Sequence, residues 1–166
     1  MATVTLRGAR TQTNGALPAV GAPAPDFLLV DTDLQNRSLA DYRGIKKLLN
    51  IVPSLDTPVC AASAKSFNAE ARDDVVMLVV SADLPFAMER FCRSAKLAQL
   101  RPLSLMRSRK FAKDYGVLIQ DGPLAGICTR AVVVIDEVDR VLYTELVVEI
   151  TRQPDYERAL AALDER

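Results

Sequence analysis

The chain reads as an α/β protein, and three observations say so. Four short apolar runs, 48–52, 75–80, 131–135 and 141–146, are mostly rich in Val and Ile, which favours buried strand over buried helix. Helical patterns fall between the first three runs. The last two are separated only by Asp136-Glu137-Val138-Asp139-Arg140, a charged turn that reads as a hairpin.

Taken in order, Thr3-Val4-Thr5-Leu6 alternates and is followed by Gly8, Asn14 and Gly15, which predicts a small N-terminal hairpin. Gly21 to Pro25 is a Gly/Pro-rich lead-in. The first core strand, 48–52, precedes a helix over about 57–72. The second, 75–80, precedes a helix over about 85–97. Residues 98–127 read as an insertion holding a short helical piece near 110–115. A closing helix at 155–163 places Tyr156, Leu160 and Leu163 on one face. Strand-helix-strand-helix, then a strand hairpin and a helix, is the order of a thioredoxin-like fold. Ligands of open α/β sheets sit beyond the carboxyl ends of the strands, which here include the loop after Val52.

Composition narrows the chemistry. With 166 residues, 49% of them hydrophobic, the chain predicts a single domain, 1–166, with a full core. Lys plus Arg equals Asp plus Glu at 21 each, so nothing electrostatic recommends nucleic acid or an acidic membrane as partner. There is no histidine, which excludes Ser-His-Asp and Cys-His catalysis and histidine-bound metals. The three cysteines, Cys60, Cys92 and Cys128, lack the close pairing of a zinc site. No run approaches a membrane span, and no leader is evident, so a cytoplasmic protein is expected. In that compartment a disulfide is more often catalytic than structural.

One cysteine stands out. Thr57-Pro58 is a helix start, an N-cap hydroxyl with proline at the first helical position. Cys60 then falls at the third position, where a capping box would carry an acidic group. Unpaired N–H groups and the positive end of the helix dipole favour an anion there. Making an ordinary thiol mostly thiolate at neutral pH takes about 3.4 kcal/mol. A helix terminus supplies roughly 0.3–1 kcal/mol, or about 2 when partly buried, so a cation must complete the site. The gain in thiolate is only about 30-fold, small beside enzyme accelerations, so donors aimed at the transition state must supply most of the rate.

Pro53-x-x-x-Thr57-x-x-Cys60 resembles the active-site motif of the peroxiredoxins. Ser81-Ala82-Asp83-Leu84-Pro85-Phe86-Ala87-Met88-Glu89-Arg90-Phe91-Cys92 is similar to the signature of the bacterial thiol peroxidases, the atypical two-cysteine peroxiredoxins. So are Gly116-Val117, Asp121-Gly122-Pro123-Leu124 and Arg130 to Asp136. The likeness runs from Val4 to the last helix. It implies a thioredoxin-like fold of the peroxiredoxin type, with an N-terminal β-hairpin and an insertion before the last strand hairpin.

The same resemblance implies roles. Cys60 would attack the peroxide and become a sulfenic acid. Cys92 would resolve it to an intramolecular disulfide, which thioredoxin would reduce. The hydroxyl of Thr57 would hydrogen-bond thiolate and peroxide, Pro53 would shield the sulfur, and Arg130 would be the missing cation. Arg130 also directly precedes the strand run 131–135, whose start faces the first turn of the first helix in a thioredoxin-like fold. Cys92 shares an apolar stripe with Met88 and Ala95 and would otherwise read as a buried structural residue. Cys128 matches neither motif and reads as a small apolar residue beside a strand.

The implied activity is peroxidase turnover of hydrogen peroxide and organic or lipid hydroperoxides, with no metal or organic cofactor, in a homodimer. Two alternatives remain open at this stage. One is a peroxide-sensing relay using the same cysteine pair. The other is a thioredoxin-like binding module with inert cysteines.

Overall fold

The computed structural model describes residues 1–165. Strands β1 (Thr3–Leu6) and β2 (Ala9–Gln12) form a separate antiparallel hairpin. Its two-residue turn, Arg7-Gly8, has both φ angles positive (51° and 82°), the primed turn that suits the twist of paired strands.

The main sheet has seven strands. In chain order they are β3 (Leu29–Val30), β4 (Asn36–Arg37), β5 (Lys46–Ile51), β6 (Val75–Ser81), β7 (Leu100–Ser104), β8 (Ala131–Ile135) and β9 (Val141–Leu146). Across the sheet they run β4-β3-β7-β6-β5-β8-β9. The β5–β6 and β6–β7 pairs are parallel, and β8 and β9 add antiparallel at β5. The helices are α1 (Pro58–Ala69), α2 (Pro85–Ser94), α3 (Lys110–Asp114) and α4 (Tyr156–Ala162). The thioredoxin-like expectation is met, including the N-terminal hairpin and the last strand hairpin.

Alternation along the strands sorts two cores. Leu48, Met77, Val79, Val132 and Val134 pack with α1 and α4 on one face. Leu49, Ile51, Leu78, Val80, Val133 and Ile135 pack with α3 on the other. The period of two therefore decides which helix each strand residue meets.

The sequence reading needs correction in two places. First, residues 98–127 are not wholly an insertion, because Leu100–Ser104 is a strand of the main sheet. Pro102 argues against a central strand, yet β3 pairs with β7 only at Val30↔Ser104. The missing N–H of Pro102 thus costs no ladder bond on that side. Second, β5 begins two residues early. Lys46 and Lys47 are buried because their ammonium groups find partners: Lys46 donates to the carbonyls of Leu163 and Glu165, and Lys47 to Asp139 at 2.5 Å.

Candidate active site

Thr57 caps α1 as its sequence requires. Its hydroxyl oxygen accepts the Cys60 N–H at 3.3 Å and donates to the Ser54 carbonyl at 3.2 Å. Pro58 occupies the first helical position, so Cys60 stands third in the helix. The hydroxyl proton is thus committed to the cap, and the expected bond from Thr57 to the sulfur is not formed among the described residues.

Arg130 approaches from the opposite strand. Residue parity puts it on the face of Val132 and Val134, the face that α1 covers. Its Nη2 donates to Cys60 Sγ at 3.1 Å. Its Nε donates to the Ile150 carbonyl at 2.9 Å, and Nη1 is buried without a partner. Arg130 is 1% exposed and Cys60 0%. No carboxylate lies in ion-pair reach of Arg130 among the described residues. A buried cation without a counter-charge is costly. The sulfur is the group positioned to balance it.

A cleft of about 780 Å³ opens at this point, lined by Pro53, Thr57, Arg130, Leu124, Ile127 and Ile150 among others. Pro53 is buried, and Leu6 and Arg7 of the hairpin close one wall. Four of the five predicted site residues, Pro53, Thr57, Cys60 and Arg130, therefore converge here.

Cys92 does not join them. It is half-buried on α2, beside the core that holds Cys60, and lines a separate hollow of about 430 Å³. All three cysteines are free thiols. Burial pushes the Cys92 thiol up to about 11 and the Cys128 thiol up to about 12. Cys128 belongs to the core on the α3 face.

Sequence reasoning missed several groups around the site. The Ile150 carbonyl that holds Arg130 has no side-chain signal. Glu149, beside it, accepts from Thr5 Oγ1, Arg7 N, Gly8 N and Thr151 Oγ1, and so fixes the hairpin wall of the cleft. These bonds hold its carboxyl well below the usual range. Asp83 was visible only as part of a motif, yet it braces the loop before α1, accepting from Ser54 Oγ and Leu55 N.

Known proteins bear on this arrangement. The Redoxin family pattern matches residues 19–160. Thiol peroxidases of Mycobacterium bovis and Mycobacterium tuberculosis are each 51% identical to the chain over 164 residues, covering 98% of it and 99% of theirs. The chain belongs to the thiol peroxidases, within the Redoxin family. A peroxiredoxin-like protein from Aquifex aeolicus superposes with a TM-score of 0.92 at 39% identity, covering 98% of this chain and 96% of that one. A thiol peroxidase from Chromobacterium violaceum has the same fold, with a TM-score of 0.88 at 24% identity over 97% of this chain and 94% of its own. A thiol peroxidase is a thiol-dependent enzyme. Of the three thiols here, Cys60 alone combines a helix N-terminus with a guanidinium in contact. Among the described residues, no helix is long and apolar enough to cross a membrane.

Proposed function

We propose that Cys60 is the peroxidatic nucleophile and Arg130 its counter-charge and electrophilic partner. The observation that carries this is the buried guanidinium: one donor on Cys60 Sγ, one on the Ile150 carbonyl, and Nη1 unpaired. A thiolate supplies the missing negative charge. The unpaired Nη1 is free to donate to a peroxide oxygen.

The thiolate sulfur attacks the terminal oxygen of ROOH. The O–O bond breaks, RO⁻ leaves and takes a proton as ROH, and Cys60 becomes a sulfenic acid. Charge develops on the leaving oxygen, where a buried, pre-aimed guanidinium counts for most. Rotation of the Thr57 hydroxyl away from Ser54 would add a second donor. Pro53 keeps bulk water from the sulfur. The apolar cleft lining favours organic and lipid hydroperoxides as well as hydrogen peroxide.

The Cys92 thiol then displaces hydroxide from the sulfenic sulfur, giving a Cys60–Cys92 disulfide and water, and thioredoxin reduces it. The high position of the Cys92 thiol suits a group that acts only after leaving its packed site. The chain acts as one domain, in a homodimer to which the exposed Leu84 and Phe86 at the start of α2 offer an apolar patch. Free cysteines suit a cytoplasmic setting.

The test is peroxide-dependent NADPH oxidation coupled through thioredoxin and its reductase, with the native chain beside Cys60→Ser. Turnover by the native chain, lost in Cys60→Ser, is expected. Turnover retained in the variant would overturn the assignment. Stoichiometric oxidation without turnover would favour a peroxide-sensing relay.

A further inference from the structure

Asp83 lies one residue before Leu84, the N-cap of α2, the helix that carries Cys92. Its carboxylate is turned toward the loop that leads into α1, the helix of Cys60. Oδ1 accepts from Ser54 Oγ at 2.7 Å, and Oδ2 accepts from Leu55 N at 2.8 Å and Ser81 Oγ at 2.8 Å. Its carbonyl accepts from Ser104 Oγ at the end of β7.

Ser54 in turn governs the start of α1. Its carbonyl accepts both the Thr57 N–H at 3.3 Å and the Thr57 hydroxyl at 3.2 Å, and that hydroxyl caps the Cys60 amide. A short chain of bonds thus runs from the first turn of one cysteine helix to the root of the other.

Beyond its root, α2 buries fewer residues completely than α1 does, although Phe91 and Cys92 pack partly buried against the core. Pro85 and Met88 are its only buried residues, against four on α1. A hollow of about 650 Å³, lined by Ser54, Asp83, Phe86, Arg90 and Phe91 among others, separates it from the loop before α1. A segment with few buried contacts opens at low free energy, and the polar bonds at its root then set that free energy.

We propose that Asp83 is a positioning residue: a latch that holds the loop before α1 and the start of α2 together in the reduced enzyme, and whose release limits disulfide formation. This rests on the proposed resolving role of Cys92. The chemistry gated is Cys60–SOH plus Cys92–SH giving Cys60–S–S–Cys92 and water. The latch bonds use the Ser54 hydroxyl and the Leu55 amide, not the Ser54 carbonyl that holds Thr57, and touch neither the peroxide nor Arg130, so their release acts on the disulfide step. While the latch is closed the sulfenic acid persists, and a second peroxide can convert it to sulfinic acid.

The test uses Asp83→Asn and, in case that variant folds poorly, Ser81→Ala, which removes one of the bonds that hold the Asp83 carboxylate in place. Three quantities are read in each: the rate of peroxide consumption in the first turnover, the rate of disulfide appearance in acid-quenched samples, and the peroxide dose giving half-conversion to sulfinic acid. Expected are an unchanged first rate, disulfide formation about tenfold faster in Asp83→Asn, corresponding to about 1.4 kcal/mol, and a higher dose for sulfinic acid. Ser81→Ala should move the same way by less. An unchanged disulfide rate in both variants, or a first rate that falls with the second, would overturn the latch. Absence of a Cys60–Cys92 disulfide in the native chain would instead overturn the resolving role itself.

Discussion

The guanidinium of Arg130 donates to Cys60 Sγ at 3.1 Å across seventy residues of sequence, and both groups are shut away from solvent. The contact joins a helix start on one chain segment to a strand start on another. Neither side suffices alone, since the helix terminus falls short of the energy a thiolate needs. Replacing Arg130 by Lys keeps a charge but cannot serve the sulfur, the Ile150 carbonyl and the peroxide at once. We expect Arg130→Lys to slow peroxide reduction by about 10²–10³, the range seen when one pre-aimed donor is lost. Stopped-flow rates across pH check it. A deficit that disappears at high pH would mean Arg130 only generates the thiolate, whereas a deficit at every pH is expected.

The other two thiols should be inert in the folded protein. Burial raises Cys92 to about 11 and Cys128 to about 12. Iodoacetamide at pH 7 should therefore label Cys60 first, as read by peptide mass. The same shifts carry a stability consequence. Both folded values exceed the ordinary thiol value of 9.0, so the folded chain keeps protons that the unfolded chain has already lost. Their contribution is complete below about pH 9 and is lost as pH rises through 11 and 12. Urea unfolding of the native chain should weaken over that window more steeply than that of a Cys92→Ala, Cys128→Ala variant.

Cys128→Ser should separate stability from catalysis. Cys128 is fully buried in the apolar core on the α3 face, away from the core that holds Cys60. A buried hydroxyl without a partner costs about 1–3 kcal/mol. Unfolding should therefore occur at lower urea, while peroxidase rates stay at the native level.

Asp139→Ala tests the far end of the sheet. Lys47 is buried completely, and its ammonium is held by Asp139 at 2.5 Å and the Asp136 carbonyl at 3.0 Å. Asp139 is itself 20% exposed, which moderates the loss. Stranding the ammonium should cost about 3 kcal/mol, the low end for a broken buried pair. At 2–4 °C per kcal/mol this lowers Tm by roughly 6–12 °C. Lys47→Met with Asp139→Ala should recover most of it.

How far the chain could be read before folding depends on the kind of interaction. Runs such as Val132-Val133-Val134 declare a buried strand through their own side chains, and Thr57-Pro58 declares a helix start within two residues. From those two, the sequence places Cys60 on the helix and Arg130 at the head of the strand, because both inferences use short periods. Strand β7 was hidden because Arg101 and Pro102 contradict a strand pattern, and only the nearly open edge at β3 tolerates them. Lys46 and Lys47 lie outside the apolar run 48–52 and join the strand because Leu163, Glu165 and Asp139, all far along the chain, meet their ammonium groups. The Ile150 carbonyl and the Asp83 carboxylate act over long sequence separations, through groups that leave no periodic trace.

The central claim is that Cys60 is the thiol that peroxide oxidises. The direct measurement is dimedone trapping in a Cys92→Ser variant, where the resolving step is blocked and the sulfenic acid should persist. After one equivalent of hydrogen peroxide at neutral pH, peptide mass spectrometry should find the dimedone adduct on Cys60 and none on Cys128. Adduct on Cys128, or peroxide consumed with Cys60 left as free thiol, would contradict the account.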